Sequence, residues 1–209
     1  ARMIQKYYQD TKTAISREIV FNRKSLIPEI KGVEQAYVGT LEFKEYIKLI
    51  TDNGKILNSV FYDNVRAFQG DNPVNQKIKE TLDLKKFDKF PILNNGITLV
   101  AKSLKATGDK FCLNDYSIVN GCQTSHVIYN SRMLEGIENM SIPIRIIVTG
   151  NEEIRNDVIR ATNNQTQVKP EELEALSDYQ KSLESYYQTT KDDLQLFYER
   201  RSKQFNNNP

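Results

Sequence analysis

No apolar run in this 209-residue chain is long, and the clearest ones stop at amide-rich punctuation. Residues 90–93 lead into Asn94-Asn95-Gly96-Ile97-Thr98, and residues 115–119 lead into Asn120-Gly121-Cys122-Gln123-Thr124. The helical pattern after Asn151 ends in Ala161-Thr162-Asn163-Asn164-Gln165. Runs this short, ended by turn formers, build elements of modest length. Strand-like and helical patterns alternate without an internal repeat, which predicts a mixed α/β (α+β) domain. Its expected form is a single small mixed sheet of short strands with helices packed around it. No run approaches the ~20 apolar residues of a membrane span, and no signal-peptide pattern opens the chain, so no membrane role is expected.

Composition narrows the chemistry. Charged residues make up 27% of the chain and nearly cancel to +2, so the total does not announce a nucleic-acid binder, although a local basic patch would be hidden in it. Cys112 and Cys122 are the only cysteines and His126 the only histidine. Without a C-x-x-C or H-x-x-x-H spacing, ligand counting argues against zinc, and any two-histidine mechanism is excluded. No Walker lysine motif is present, which excludes an ordinary P-loop NTPase. Two cysteines form no disulfide framework, so a cytoplasmic protein is expected. Ala1 in place of an initiator Met, and an ending at Asn206-Asn207-Asn208-Pro209, read as a fragment of a longer polypeptide.

Along the chain, residues 1–31 are polar, basic and without clear periodicity; they read as a helix plus a connector ahead of a domain over 32–205. Tyr37-Val38-Gly39-Thr40 predicts a strand, residues 41–50 a helix, Asp52-Asn53-Gly54 a turn and residues 56–62 a strand. Asn72 is the expected cap, and Pro73 the first residue, of a helix that turns Val74, Ile78 and Leu82 to the core. Residues 90–93 and 97–104 predict strands, with residues 142–148 the strongest strand. Pro143 is acceptable only near that strand's start or on an edge. Gly121 opens a helix to about Leu134, and Asn151 caps another whose first turn carries Glu152 and Glu153. Ser177-x-x-Gln180 spells a capping box for a helix that buries Leu183 and Tyr187, and residues 194–198 predict a late strand.

Each amide motif supports two readings. Val119-Asn120-Gly121 is a strand-to-helix junction whose free N–H groups would hold an anion, with Asn120, Gln123 and Thr124 as donors around it. The alternative is a simple cap. Asn94-Asn95-Gly96 is at face value a hairpin turn, and Asn163 and Gln165 sit where a helix terminates. Three such motifs together favour a polar pocket built from several loops, joined by Asp63-Asn64-Val65-Arg66 and Asn75. Neutral amides suit hydrogen-bonded recognition of a base, ribose or phosphate ester better than hydrolysis. Arg66 is the natural phosphate ligand, with Arg155 and Arg160 second. Tyr198-Glu199-Arg200-Arg201 could grip a phosphate or close an exposed strand end with a local salt bridge. Asp63 and Glu199 are the carboxylates to test for metal binding or acid–base work.

Taken in order, Asp63-Asn64-Val65-Arg66, Val74-Asn75, Thr81-Leu82, Phe90 with Asn94–Thr98, residues 118–124, Ala161-Thr162-Asn163-x-Gln165 and Tyr198-Glu199-Arg200-Arg201 resemble the AIPR family of abortive-infection phage-resistance proteins, over about residues 32–205. The resemblance implies a bacterial or plasmid-borne antiviral role and supplies no reaction. Asn120-Gly121-Cys122-Gln123-Thr124 is also distantly similar to the Asp-Gly-Gln-His-Arg element of DndB-type proteins and the Gly-x-x-Arg element of the ParB and sulfiredoxin superfamily, which implies a ParB/DndB-like core. Gln123 and Thr124 stand where those elements carry histidine and arginine, which argues against nucleotide hydrolysis and leaves backbone-mediated phosphate binding open.

Three functions follow. The first is a sensing module that binds a nucleotide or nucleic-acid phosphate through Asn64, Asn94, Asn95, Gly96, Asn120, Gly121, Gln123, Thr124, Asn163, Gln165 and Arg200, with Arg66 as counter-charge and Mg²⁺ entering only with the nucleotide. The second is a metal-dependent nuclease or nucleotide hydrolase using Asp63 and Glu199. The third is a protein-interaction module controlling a toxin partner encoded nearby.

Overall fold

The computed structural model describes residues 14–64, 68–70, 72–163, 175, 177–189, 197–201 and 204. The architecture is mixed α/β. Eight strands are described: β1 (Ser16–Val20), β2 (Arg23–Leu26), β3 (Gln35–Glu42), β4 (Thr51–Asp52), β5 (Lys55–Ile56), β6 (Ile97–Thr107), β7 (Lys110–Asn120) and β8 (Ser141–Val148). The helices are α1 (Phe43–Ile50), α2 (Pro73–Asp83), α3 (Phe90–Leu93), α4 (Cys122–Asn130), α5 (Glu152–Asn163) and α6 (Asp178–Thr189). Six strands form one sheet in the order β1-β7-β6-β8-β3-β2, in which only β6 and β8 run parallel, and β4 and β5 form a separate ribbon.

The strand order has a geometric consequence. β1 and β2 lie at opposite ends of the sheet, yet only Phe21 and Asn22 separate them in the chain. The sheet must therefore curl until its two edges are joined end to end by one bent segment. Contacts across the interior agree: the Tyr37 ring on β3 meets Phe111 on β7 edge-on at 4.9 Å, and Phe21 meets Phe111 at 5.8 Å. The inner face carries Ile19, Leu41, Leu99, Leu113, Ile144 and Ile146, all but sealed from solvent, and α1 adds Tyr46, Leu49 and Ile50. Buried Glu45 of α1 accepts the Val20 N–H at 2.8 Å, completing the backbone at the end of β1. On the outer face, Ala36, Val100, Val119 and Ile147 form a second apolar layer under Ile159 of α5.

Several sequence expectations are corrected. Residues 16–26, expected within a helix and connector, form β1 and β2. Their short alternation is too brief to show in a basic segment, and their strength comes from partners near residues 40 and 112. Residues 90–93 form a single helical turn, with Pro91 second in it, instead of a strand, so Asn94-Asn95-Gly96 links a helix to β6 and is not a hairpin. The long hairpin turns at Gly108-Asp109, between Thr107 and Lys110. Residues 58–61 form a 3₁₀ turn where a strand was expected. Val74 is exposed, because a 3.6-residue stripe through Ile78 and Leu82 passes through Asn75. α4 ends at Asn130, short of Leu134. Residues 197–200 carry no strand, and 194–196 lie outside the described residues.

Other expectations, for helix starts and for Pro143, hold. Asn72 Oδ1 accepts the Val74 and Asn75 N–H groups, with Pro73 next in line. Asn151 Oδ1 accepts the Glu153 and Ile154 N–H groups at the start of α5, and Ser177 Oγ accepts the Gln180 N–H before α6. Pro143 is third in β8 and precedes the pairing with β6, which begins at Ile144, so its missing N–H disturbs no ladder on that side. Among the described residues no helix is long and apolar enough to cross a membrane.

Candidate functional site

The described residues of the three amide motifs meet at one end of the sheet. Thr98 of β6 is the register partner of Asn120 of β7, so the chain enters β6 beside the point where it leaves β7. Both crossings use glycine. Gly121 has φ +103°, and a Cβ there would stand 2.3 Å from Ile97 Cδ1 and 3.3 Å from Ile97 Cα. Gly96 has φ +79°, and its Cβ would meet the Pro143 carbonyl oxygen at 2.9 Å. The positive φ strains any other residue at both positions, and glycine lets the start of α4 lie close against Ile97 of β6. Gly121 is the N-cap of α4 and supplies no capping side chain. The positive end of the helix dipole thus lies at Cys122, Gln123 and half-buried Thr124 with no side-chain cap from Gly121.

The amide side chains mostly tie this end together. Buried Asn64 donates to the Ile118 carbonyl, Asn120 to Thr162 O at 3.3 Å at the end of α5, and Asn94 to Phe90 O at 3.2 Å. Asn95 is exposed and Gly96 half-buried. Asn163 is the last residue of α5, whereas Gln165 and Arg66 lie outside the described residues. Gln123 is the hub: its Oε1 accepts from Asn75 Nδ2 at 2.9 Å and from the Gln69 N–H at 3.2 Å. Asn75 Nδ2 also donates to Gly70 O at 2.5 Å, and Asn75 is 4% exposed. With both of its N–H groups committed to acceptors, the Asn75 amide has one orientation, and its buried Oδ1 has no donor among the described residues.

The charged candidates part ways. Asp63 is buried and pairs with Arg155 of α5 and, at 2.9 Å, with Lys181 of α6; Arg155 also donates to Ser117 Oγ at 3.0 Å. Burial works against the Arg155 charge, yet Asp63 beside it holds the guanidinium pKa above its ordinary value. Arg200 is sealed against Glu184 of α6 at 2.7 Å, donates to Ala175 O and Tyr62 O, and lies over the Tyr62 ring. Glu199 is exposed and accepts the Gln204 N–H at 2.9 Å.

Arg201 contrasts with its neighbour. It donates to Phe61 O at 3.3 Å, its Nε is buried without a partner, and no ion pair to it exists among the described residues. Burial and then Arg200 push its pKa down, and its own charge acts on Cys122 and His126 of α4. His126 stacks on Phe68 at 4.4 Å and leans on Phe61 at 5.2 Å. Burial, aided by Arg201, lowers its pKa to about 4, so the imidazole is neutral at pH 7. Burial also pushes the Cys122 thiol up to about 12.

Sequence reasoning missed the buried acid Glu184 and the role of Lys181. The signal was present for Glu184, which continues the stripe of the Ser177-capped helix beside Leu183. Among the described residues no group of three His, Cys, Asp or Glu side chains is gathered to hold a metal. A cavity of about 300 Å³ lies elsewhere, lined by Leu26, Ile30, Val33 and Tyr37 among others, and no candidate residue lines it.

The family described as AIPR protein matches residues 61–209, which take in every element of this end from the Phe61 turn onward. The chain belongs to the AIPR family. Its name places the chain among abortive-infection phage-resistance proteins. Comparison with curated proteins and with solved structures returned no match.

Proposed function

We propose that this chain is the sensing module of a phage-defence protein and recognises a nucleotide or nucleic-acid phosphate at the amide-lined end of the sheet. The observation that carries the reading is the start of α4, where Gly121 places no side-chain cap on the helix N-terminus and Asn120, Gln123 and Thr124 flank it in the chain. Such a terminus stabilises an anion without a charged side chain, and the dipole adds to the N–H groups. The likeness of this junction to the phosphate-holding Gly-x-x-Arg element is part of the same proposal.

Gln123→Glu tests it. Glutamate keeps the acceptor that Asn75 and Gln69 use, and an acid in the first turn of a helix is favourable by roughly 0.3–1 kcal/mol. The fold should therefore melt at the same temperature or slightly higher. A phosphate would face a new negative charge, and affinity for nucleotides and short oligonucleotides should fall at least about tenfold. Binding by the parent should also weaken as salt rises. Unchanged affinity in the variant, or affinity indifferent to salt, would refute the reading.

A further inference from the structure

The two ends of the main sheet are finished differently. The outer edge of β1 is covered by α1 and the turn after it: Glu45 accepts the Val20 N–H at 2.8 Å, and Arg17 donates to Lys48 O at 3.2 Å and to Asp52 at 2.9 Å. β2 has no such cover among the described residues. It pairs with β3 on one side and ends the strand order on the other. The Ile27 N–H donates to Ala36 O at 2.8 Å in the same register. Alternation along the ladder therefore gives the backbone groups of Arg23 and Ser25 to β3 and turns those of Lys24 and Leu26 outward. Among the described residues these outward groups meet no partner. An open strand edge of this kind is a template for another strand.

Apolar surface lies exposed beside it. Leu26 is 64% exposed, Ile30 49% and Val38 44%. The cavity of about 300 Å³ begins at Leu26 and follows the β2–β3 connection past Pro28, Ile30 and Val33, with exposed Glu29 and Glu34 in its lining. Arg23, at the other end of β2, is exposed too, and among the described residues none of these three charges has an ion pair. A short strand that is basic at one end and acid-rimmed at the other complements an antiparallel copy of itself. We infer that β2 pairs with β2 of a second copy of this chain, antiparallel about a two-fold axis at Ser25. That centre lets Lys24 and Leu26 exchange their outward hydrogen bonds with Leu26 and Lys24 of the second copy. Ser25 then faces Ser25, and each Arg23 faces Ile27 with Glu29 just beyond it, so no like charges stand opposite each other. Lys24 does not oppose the pairing, because Asp109 at 2.6 Å and Phe21 O at 2.7 Å already hold its ammonium.

Sedimentation equilibrium of the full chain, from about 1 to about 100 µM, tests this, since one short edge with one groove is a small interface of roughly micromolar affinity. The parent should pass from monomer to dimer across that range. Leu26→Pro removes an outward N–H and no bond to β3, so it should stay monomeric with an unchanged melting temperature. Arg23→Glu should weaken the dimer at least about tenfold, and adding Glu29→Arg should restore it. The register has its own check. At a non-hydrogen-bonded antiparallel pair the Cα atoms are roughly 4.5 Å apart, within disulfide reach. Mild oxidation of Ser25→Cys should therefore join two chains, whereas the parent, with half-buried Cys112 and buried Cys122, should give no covalent dimer. A parent still monomeric at about 100 µM would overturn the inference and leave the edge to a different protein. A dimer that survives in a folded Leu26→Pro, or a Ser25→Cys that gives no covalent dimer, would overturn it as well. None of these outcomes bears on the phosphate reading, which concerns the start of α4.

Discussion

Inside the curl, Phe21, Phe111, Leu113 and Ile142, Ile144 and Ile146 of β8 pack as one apolar layer while the backbone is satisfied strand to strand. At the amide end the buried inventory includes Asp63, Asn64, Asn75, Glu184 and Arg200, each held by named hydrogen bonds or ion pairs. The first region tolerates chemistry changes of similar volume and punishes holes. The second punishes the loss of a single partner, because what remains is a charge or dipole out of water. A recognition site belongs in the second kind of region, where geometry is set by directional bonds.

The comparison can be broken from its apolar side first. Phe111→Ala should cost about 3–5 kcal/mol in urea unfolding, since the ring touches Phe21 and Tyr37 across the interior; a loss under about 1 kcal/mol would mean that the curl is looser than its contacts imply. On the polar side, Asp63→Asn removes the partner of both Arg155 and Lys181 and should cost about 3 kcal/mol, at the lower end for a broken buried pair because Lys181 is 20% exposed. Wild-type stability in that variant would show those cations to be already solvated.

His126 gives a pH signature. Its folded pKa of about 4 lies below the ordinary 6.5, so between these values the unfolded chain binds the extra proton. Stability should therefore be complete above pH 6.5 and fall as pH drops toward 4, by at most roughly 3 kcal/mol. His126→Phe should flatten that part of the stability–pH curve while Asp63→Asn leaves it in place. The smallest effect is expected at Asn72→Ala, about 1 kcal/mol for a lost cap that belongs to neither region's interior.

What the sequence made legible was local. Asn72, Asn151 and Ser177 announced helix starts because a cap acts within three residues of itself, and residues 142–148 read as a strand because every second residue is isoleucine or valine. β1 and β2 were hidden because their partners lie up to 98 residues away and their own sequences are charged. The amide motifs were recognised as a set, and their convergence followed once Gly96 and Gly121 were placed. Which of Arg200 and Arg201 is spent on the fold could not be read, since the answer depends on Glu184, a carboxylate that only tertiary packing brings alongside.

The bent segment through β1, Phe21, Asn22 and β2 also sets a schedule. It leaves the ribosome ahead of every strand it closes against, since β1 pairs with residues 110–114 and β2 with residues 37–40. Closure must therefore wait until the β6–β7 hairpin has been synthesised, and the β7 edge stays open to other chains until β1 docks, whereas β2 can cover the β3 edge as soon as residues 37–40 emerge. Once the segment docks, each of those edges is occupied by a strand of the same molecule, so the earlier-made strands end as the clasp of the finished sheet.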